Sequence, residues 1–272
     1  ACPGPFMSTA VMASYYLEQA GATDPLAAMA AGTYRVGIAF SDAIGTRKGH
    51  IVEVDSALSG QSLFALDAEA DAYLIGLGDG RVFMIEASEV VRTPLTTVDV
   101  TRSVCELTLN DTPACLVSSD PELLKQTLYR GRAIQAADTL GAAQYMLDEA
   151  VAYALERKQF NRVIGSFQAV KHMCAEMASQ LEPCRAFVWY AGHAFDEAAD
   201  EAALTACHAK AHLAEVGQFV AKTSTEVHGG MGFTDLVGLH YWFKRIGFNR
   251  QLLGSPEAVR QDAAVLDELR RP

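Results

Sequence analysis

Beyond residue 120 the chain contains no strand-like run, and this property constrains the fold more than any other. Residues 121–158, 166–196 and 200–228 are long, Ala-rich and helix-periodic, and a shorter piece of the same kind ends near Leu253. In Leu140, Ala143, Met146, Leu147, Val151, Ala154 and Leu155 the steps are threes and fours with one single step. That spacing lays an apolar stripe along one helix face. Residues 161–165 punctuate the first and second helices, and 196–201 the second and third. Gly229, Gly230 and Gly232 end the third, because glycine accepts the positive φ that closes a helix. Long helices with short connections pack as an antiparallel bundle.

The first 120 residues have a different character. Residues 7–30 read as a helix, a turn at 21–24 and a second short helix. Residues 33–40, 49–54, 62–66 and 73–77 are short apolar or alternating runs bounded by Gly, Asp and Ser. Gly78, Asp79 and Gly80 turn the chain into 81–86, a hairpin signal, and 101–109 completes an antiparallel, sheet-rich region. The expected class is α+β, with helices in 1–30, a β domain in 31–120 and a helical bundle in 121–272.

Composition excludes several functions. A net charge of −11 leaves no basic face for a general nucleic-acid binder. No apolar run approaches the ~20 residues of a membrane span, and residues 1–6 lack the basic start of a secretory signal. Six scattered cysteines (Cys2, Cys105, Cys115, Cys174, Cys184, Cys207) form no CxxC pair and read as buried reduced thiols, which fits a cytoplasmic location. His208 and His212 share a helix face at i,i+4, but no HExxH or carboxylate cluster accompanies them, so no metal site is expected. Gly229, Gly230 and Gly232 follow a helix and not a strand, which argues against a Rossmann site. Arg81 reads as a solvated strand residue. Asp196, Glu197, Asp200 and Glu201 read as an acidic loop and helix N-terminus.

Several motifs in register are more specific. Tyr153-Ala154-Leu155-Glu156-Arg157-Lys158-Gln159-Phe160, followed by Ile164-Gly165-Ser166-Phe167-Gln168-Ala169-Val170-Lys171-His172, resembles one signature of the acyl-CoA dehydrogenases. Val227-His228-Gly229-Gly230-Met231-Gly232-Phe233-Thr234 resembles the second. Their separation and the closing Leu252-Leu253-Gly254-Ser255 also fit. The resemblance covers residues 125–268 well and 30–110 more weakly. It implies that family's fold: truncated N-terminal helices, a small antiparallel β-barrel-like middle domain, and a C-terminal bundle that holds FAD and makes the oligomer core. It further implies α,β-dehydrogenation of an acyl-CoA, with electrons leaving through an electron-transfer flavoprotein. Arg157 matches an arginine that reaches the FAD pyrophosphate, for which a guanidinium fork is suited. By the same match, Phe160 packs beside the adenosine, Gln168 hydrogen-bonds near the adenine, and Gly229, Gly230 and Gly232 let backbone approach the cofactor. Arg132 matches an arginine near the substrate. On residue chemistry alone, Arg157 can equally serve a helix C-terminus and Arg132 can be an exposed helix charge.

The pattern breaks where the family keeps its catalytic base. The reaction needs a carboxylate beside the substrate Cα. The position most relatives use is Leu253 here, and the position a minority use is Gly131; neither accepts a proton. Residues 40–49 keep only part of a hydroxyl- and glycine-rich segment that contacts the flavin in relatives. Some actinobacterial relatives are α2β2 heterotetramers in which one subunit carries the glutamate and the other is degenerate. The chain looks like the degenerate kind, which implies a hetero-oligomer with a glutamate-bearing paralogue. Two alternatives remain open: a homo-oligomeric flavin oxidase of the same superfamily with another base, and a scaffold or binding subunit that has lost flavin.

Overall fold

The computed structural model describes residues 3–44 and 49–268. The chain forms two compact units, residues 2–131 and residues 132–272.

The first unit opens with Phe6–Ala13, wound as a π-helix, which continues into α1 (Ser14–Gln19) and is followed by α2 (Thr23–Ala30). Met12, Ala13, Tyr16 and Leu17 are buried, and the Tyr16 ring meets Phe40 edge-on at 6.2 Å. The sheet comprises β1 (Val36–Ala39), β2 (Val52–Val54), β3 (Ala57–Leu66), β4 (Ala72–Gly76), β5 (Val82–Glu86), β6 (Val91–Pro94), β7 (Val104–Pro113) and β8 (Cys115–Ser118), with the short α3 (Ser41–Ile44) after β1. Its order is β6-β7-β3-β1-β4-β5-β8, with β2 paired to β3. The expected hairpin is present: β4 and β5 pair antiparallel from Ala72↔Glu86 to Gly76↔Val82. Leu58, Tyr73, Ile75, Phe83, Ile85, Leu107 and Leu109 fill the core beneath these strands.

The sheet departs from the antiparallel expectation at its centre. β1 and β4 run parallel, from Val36↔Ala72 to Ala39↔Ile75. A parallel pair needs a long crossover, and here α3, β2 and β3 supply it. Two strands were not legible in the sequence. Every residue of β6 is exposed, so it shows no apolar alternation, and β8 has only four residues, half of them exposed.

The long helix α4 (Pro121–Glu156) leads into the second unit, which holds α5 (Gln168–Glu197), α6 (Ala199–His228), α7 (Leu239–Gln251) and α8 (Pro256–Glu268). α6 is its centre: Ala202, Ala206, Cys207, Ala209, Leu213, Val220 and Ala221 are all buried. Among the described residues no helix is long and apolar enough to cross a membrane.

Polar groups fix α7 against α4. Arg245 Nε and Nη2 donate to the two oxygens of Asp138 at 2.8 and 2.9 Å, and Asn249 Nδ2 donates to Asp138 Oδ2 at 2.8 Å and Thr139 Oγ1 at 3.0 Å. Both members of the ion pair are almost enclosed, with side-chain exposures of 3% and 11%. Breaking one side of such a pair leaves an uncompensated buried charge. Arg245→Met is therefore expected to lower stability to urea by about 3–5 kcal/mol, and adding Asp138→Leu should recover most of that loss.

Candidate functional site

The first signature folds as a small hairpin between α4 and α5. β9 (Lys158–Gln159) pairs antiparallel with β10 (Arg162–Val163). The two residues between them, Phe160 at φ 51° and Asn161 at φ 58°, are both left-handed, as a type I′ turn requires. Asparagine tolerates that region, whereas phenylalanine does so at a cost. Phe160 is nevertheless 88% exposed, touching Phe167 edge-on at 6.3 Å while Arg162 lies over the Phe167 ring at 3.9 Å. Arg157 is exposed, and its backbone N–H bonds Tyr153 O at 2.9 Å while its carbonyl accepts from Ile164 N–H at 2.8 Å. Gln168 is exposed as the first residue of α5.

The second signature closes α6. Gly229 has φ 58° and ψ −138°, and no atom lies within 4 Å of a Cβ built on Gly229 or Gly230. Open space and missing side chains let a ligand approach this backbone. Gly232 differs: it is buried, and a Cβ there would sit 2.8 Å from Thr225 O, so internal packing requires it.

The two signatures meet through Tyr153 and His228, residues to which the signatures assign no role. The Tyr153 ring stacks on His228 at 4.6 Å and 25°. His228 is buried, with Nδ1 2.8 Å from Ser224 O, so the stack joins the last turn of α4 to the last turn of α6. Arg157 lies one helical turn beyond Tyr153, and Gly229 directly follows His228. An exposed guanidinium, an exposed aromatic ring and an uncovered stretch of glycine backbone thus share one end of the unit. Beyond it, Gly232, Phe233, Asp235, His240, Phe243 and Lys244 line a cavity of ≈ 270 Å³, and Phe233 is 80% exposed. Both Tyr153 and His228 lie within the quoted signatures; only their contact is a tertiary fact.

The two positions that the resemblance matches to the family's base differ in setting. Gly131 is buried within α4. Leu253 follows α7 in a left-handed conformation, φ 59°, with 4% exposure. Arg132 is buried and not an exposed helix charge. Its Nε donates to Leu253 O at 3.0 Å, Nη1 to Cys207 Sγ at 3.3 Å and Nη2 to Asp262 Oδ2 at 2.7 Å. Beside it the buried Lys210 donates to Asn249 O at 2.6 Å and Arg250 O at 3.2 Å. Burial pushes the Lys210 ammonium down to about 7, and the charges of Arg132 and Arg250 add to the shift. Arg132 and Lys210 thus both donate to carbonyls at the end of α7 and of the turn after it. Burial likewise raises the Cys207 thiol above its usual range, against the pull of Arg132.

Other expectations have mixed outcomes. His208 and His212 are exposed on α6 and face an open groove of ≈ 600 Å³ with Phe187 and Arg260. Cys105, Cys184 and Cys207 are buried and Cys174 is half-buried, but Cys115 is exposed on β8, contrary to expectation. Cys2 lies outside the described residues. So does 45–48 of the flavin-contact segment; at its ends Ser41 Oγ is 3.3 Å from Ser62 Oγ, and Asp42 Oδ1 accepts Gly49 N–H at 2.9 Å.

Residues 122–264 match the family profile "Acyl-CoA dehydrogenase, C-terminal domain". The chain belongs to the acyl-CoA dehydrogenase family. It is 28% identical over 254 residues to acyl-CoA dehydrogenase IpdE2 of Mycolicibacterium smegmatis, covering 93% of this chain and 70% of that protein. It is 30% identical over 275 residues to acyl-CoA dehydrogenase FadE34 of Mycobacterium tuberculosis, covering 97% of this chain but 36% of that protein. Among solved structures, a variant of the Tcur3481–Tcur3483 steroid ACAD superposes with a TM-score of 0.84 at 27% identity, over 97% of this chain and 76% of that one. Butyryl-CoA dehydrogenase of Megasphaera elsdenii shares the fold at a TM-score of 0.87 and 21% identity, over 97% and 76%.

A left-handed, solvated phenylalanine costs stability that the hairpin does not need for its own folding. Phe160→Asn is expected to raise the chain's unfolding free energy by about 1 kcal/mol, read from urea denaturation.

Proposed function

We propose that this chain is a base-less subunit of an FAD-dependent acyl-CoA dehydrogenase, working with a glutamate-bearing paralogue. The observation that supports the reading is the Tyr153–His228 stack, which joins the end of α4, next to Arg157 and Phe160, to the end of α6, next to the open Gly229–Gly230 backbone. The residues fit an extended dinucleotide. Arg157 supplies a permanent, forked cation for a diphosphate. Phe160 offers an aromatic face to the adenosine, Gln168 a hydrogen-bonding amide near the adenine, and Gly229 and Gly230 a backbone free of side chains; Gly232 shapes their loop. A bound flavin would supply the acceptor for the hydride from the substrate β-carbon. The matching α-proton needs a base, which neither Leu253 nor Gly131 provides, so a glutamate of the partner would have to take it. Arg132 acts here through the turn it holds, since its guanidinium already binds Leu253 O and Asp262. The exposed Trp189 (72%) and Tyr190 (44%) on α5 support assembly with that partner. An electron-transfer flavoprotein is the expected electron acceptor.

Two experiments test this reading. Arg157→Ala should weaken flavin retention by about 1.5–3 kcal/mol, the worth of a hydrogen bond to a charged group, while circular dichroism stays unchanged. Unchanged flavin affinity would return Arg157 to a helix-end charge. In anaerobic titrations with acyl-CoAs, the flavin should not bleach with this chain alone and should bleach once the glutamate-bearing partner is added. General-base assistance contributes about 10²–10⁴-fold, so its absence leaves little turnover. Rapid bleaching by the lone chain would sink the base-less assignment.

A further inference from the structure

The Arg157 hairpin and the glycine loop leave the ends of two different helices, and each folds back beside one member of the Tyr153–His228 stack. Arg157 N–H bonds Tyr153 O at 2.9 Å, and Arg157 O accepts Ile164 N–H at 2.8 Å, so the hairpin is closed at its base. Gly165, just past it, packs so closely on the end of α4 that a Cβ there would lie 2.9 Å from Ala154 O. Ala154 directly follows Tyr153. On the other side, a Cβ on Gly232 would lie 3.1 Å from His228 Cβ and 2.8 Å from Thr225 O. Each loop is thus seated on the turn that carries one of the two rings.

The rings themselves have little freedom. His228 is buried, with Nδ1 2.8 Å from Ser224 O. A backbone carbonyl only accepts, so Nδ1 carries a proton and the imidazole is oriented by it. Ser224 Oγ in turn donates to Met146 O at 2.7 Å, two turns before Tyr153 on α4. The end of α4 is therefore held against α6 at two heights, by the Ser224 hydroxyl and by the stack, whose rings lie 4.6 Å apart at 25°. Without the stack only the lower contact of the two is left, and the last turns of α4 lose the one nearer Arg157.

We propose that Tyr153 and His228 are positioning residues that set flavin affinity by holding Arg157 in register with the uncovered Gly229–Gly230 backbone. The assignment rests on the flavin reading above and deepens it, because neither ring has to touch the cofactor. An extended ligand that engages groups from two separate loops loses affinity to whatever ordering it must itself impose. The stack supplies that order before the ligand arrives.

The test strips the purified assembly that contains this chain of flavin and measures its affinity for added FAD by flavin fluorescence. Tyr153→Leu should weaken binding about 2–10-fold, the worth of an aromatic pair beyond its buried area. Tyr153→Phe, which keeps the ring, should bind as the wild type does. The loss from Tyr153→Leu should vanish when Arg157→Ala is already present, since residues that act through one another are not additive. Equal losses in both backgrounds would overturn the assignment, being the mark of a fold loosened in general. Unchanged affinity in Tyr153→Leu would overturn it too, as would a loss in Tyr153→Phe as large as that in Tyr153→Leu. Should Tyr153→Leu not fold, His228→Gln removes the ring from the other helix, keeps a donor for Ser224 O and is read against Arg157→Ala in the same way. A wild-type assembly that takes up no FAD would instead overturn the flavin reading itself, and this assignment with it.

Discussion

Helix α6 is enclosed along nearly its whole length, and the second unit is arranged by that enclosure. Its buried face is built from small residues, Ala202, Ala206, Ala209, Ala211, Ala214 and Ala221, with Gly217 where a Cβ would press on Thr139 and Ile246. Small side chains let neighbouring helices pack at the short end of the interaxial range. With α6 held this way, the position of its last turn is no longer free. Ser224 donates to Met146 O at 2.7 Å and His228 stacks on Tyr153, so the end of α6 is registered on the end of α4. The glycine loop and the Arg157 hairpin inherit their proximity from that register.

The charges at the other side of α6 do a different task. Arg132 and Lys210 are buried basic side chains that donate to the carbonyls of Leu253, Asn249 and Arg250. Cations at a helix C-terminus are favoured by the aligned peptide dipoles, which offsets part of the cost of burying them. Their effect is to hold the turn at Leu253 in a left-handed conformation that a leucine does not favour. The backbone of this turn is held in a strained conformation while its side chain lacks any proton-accepting atom. That combination is what a subunit would show if the turn's shape still matters and its chemistry has moved elsewhere.

Much of this could be read directly from the residues. The bundle helices followed from spacing and the β4–β5 hairpin from Gly78-Asp79-Gly80, and two signatures in register named the candidate site residues whose role is proposed above. What escaped did so for physical reasons. The strands β6 and β8 are short and largely exposed, so burial leaves no imprint on their sequence. The parallel pairing of β1 with β4 joins runs separated by α3, β2 and β3, and strand signals carry no information on partner or direction. The hairpin at 158–163 places phenylalanine where turn chemistry favours asparagine or glycine, so it was read as simple punctuation.

The sequence by itself determined the family, the helical second half and the absence of a proton acceptor at Leu253 and Gly131, because these depend on residue identity and local spacing. The tertiary structure decided which charges are buried. It showed Arg132 and Lys210 clamped to carbonyls, Phe160 held out in solvent, and Gln135 enclosed with neither amide atom paired. Burial and pairing depend on which distant segments meet, and an exposed arginine and a buried one are written with the same residue.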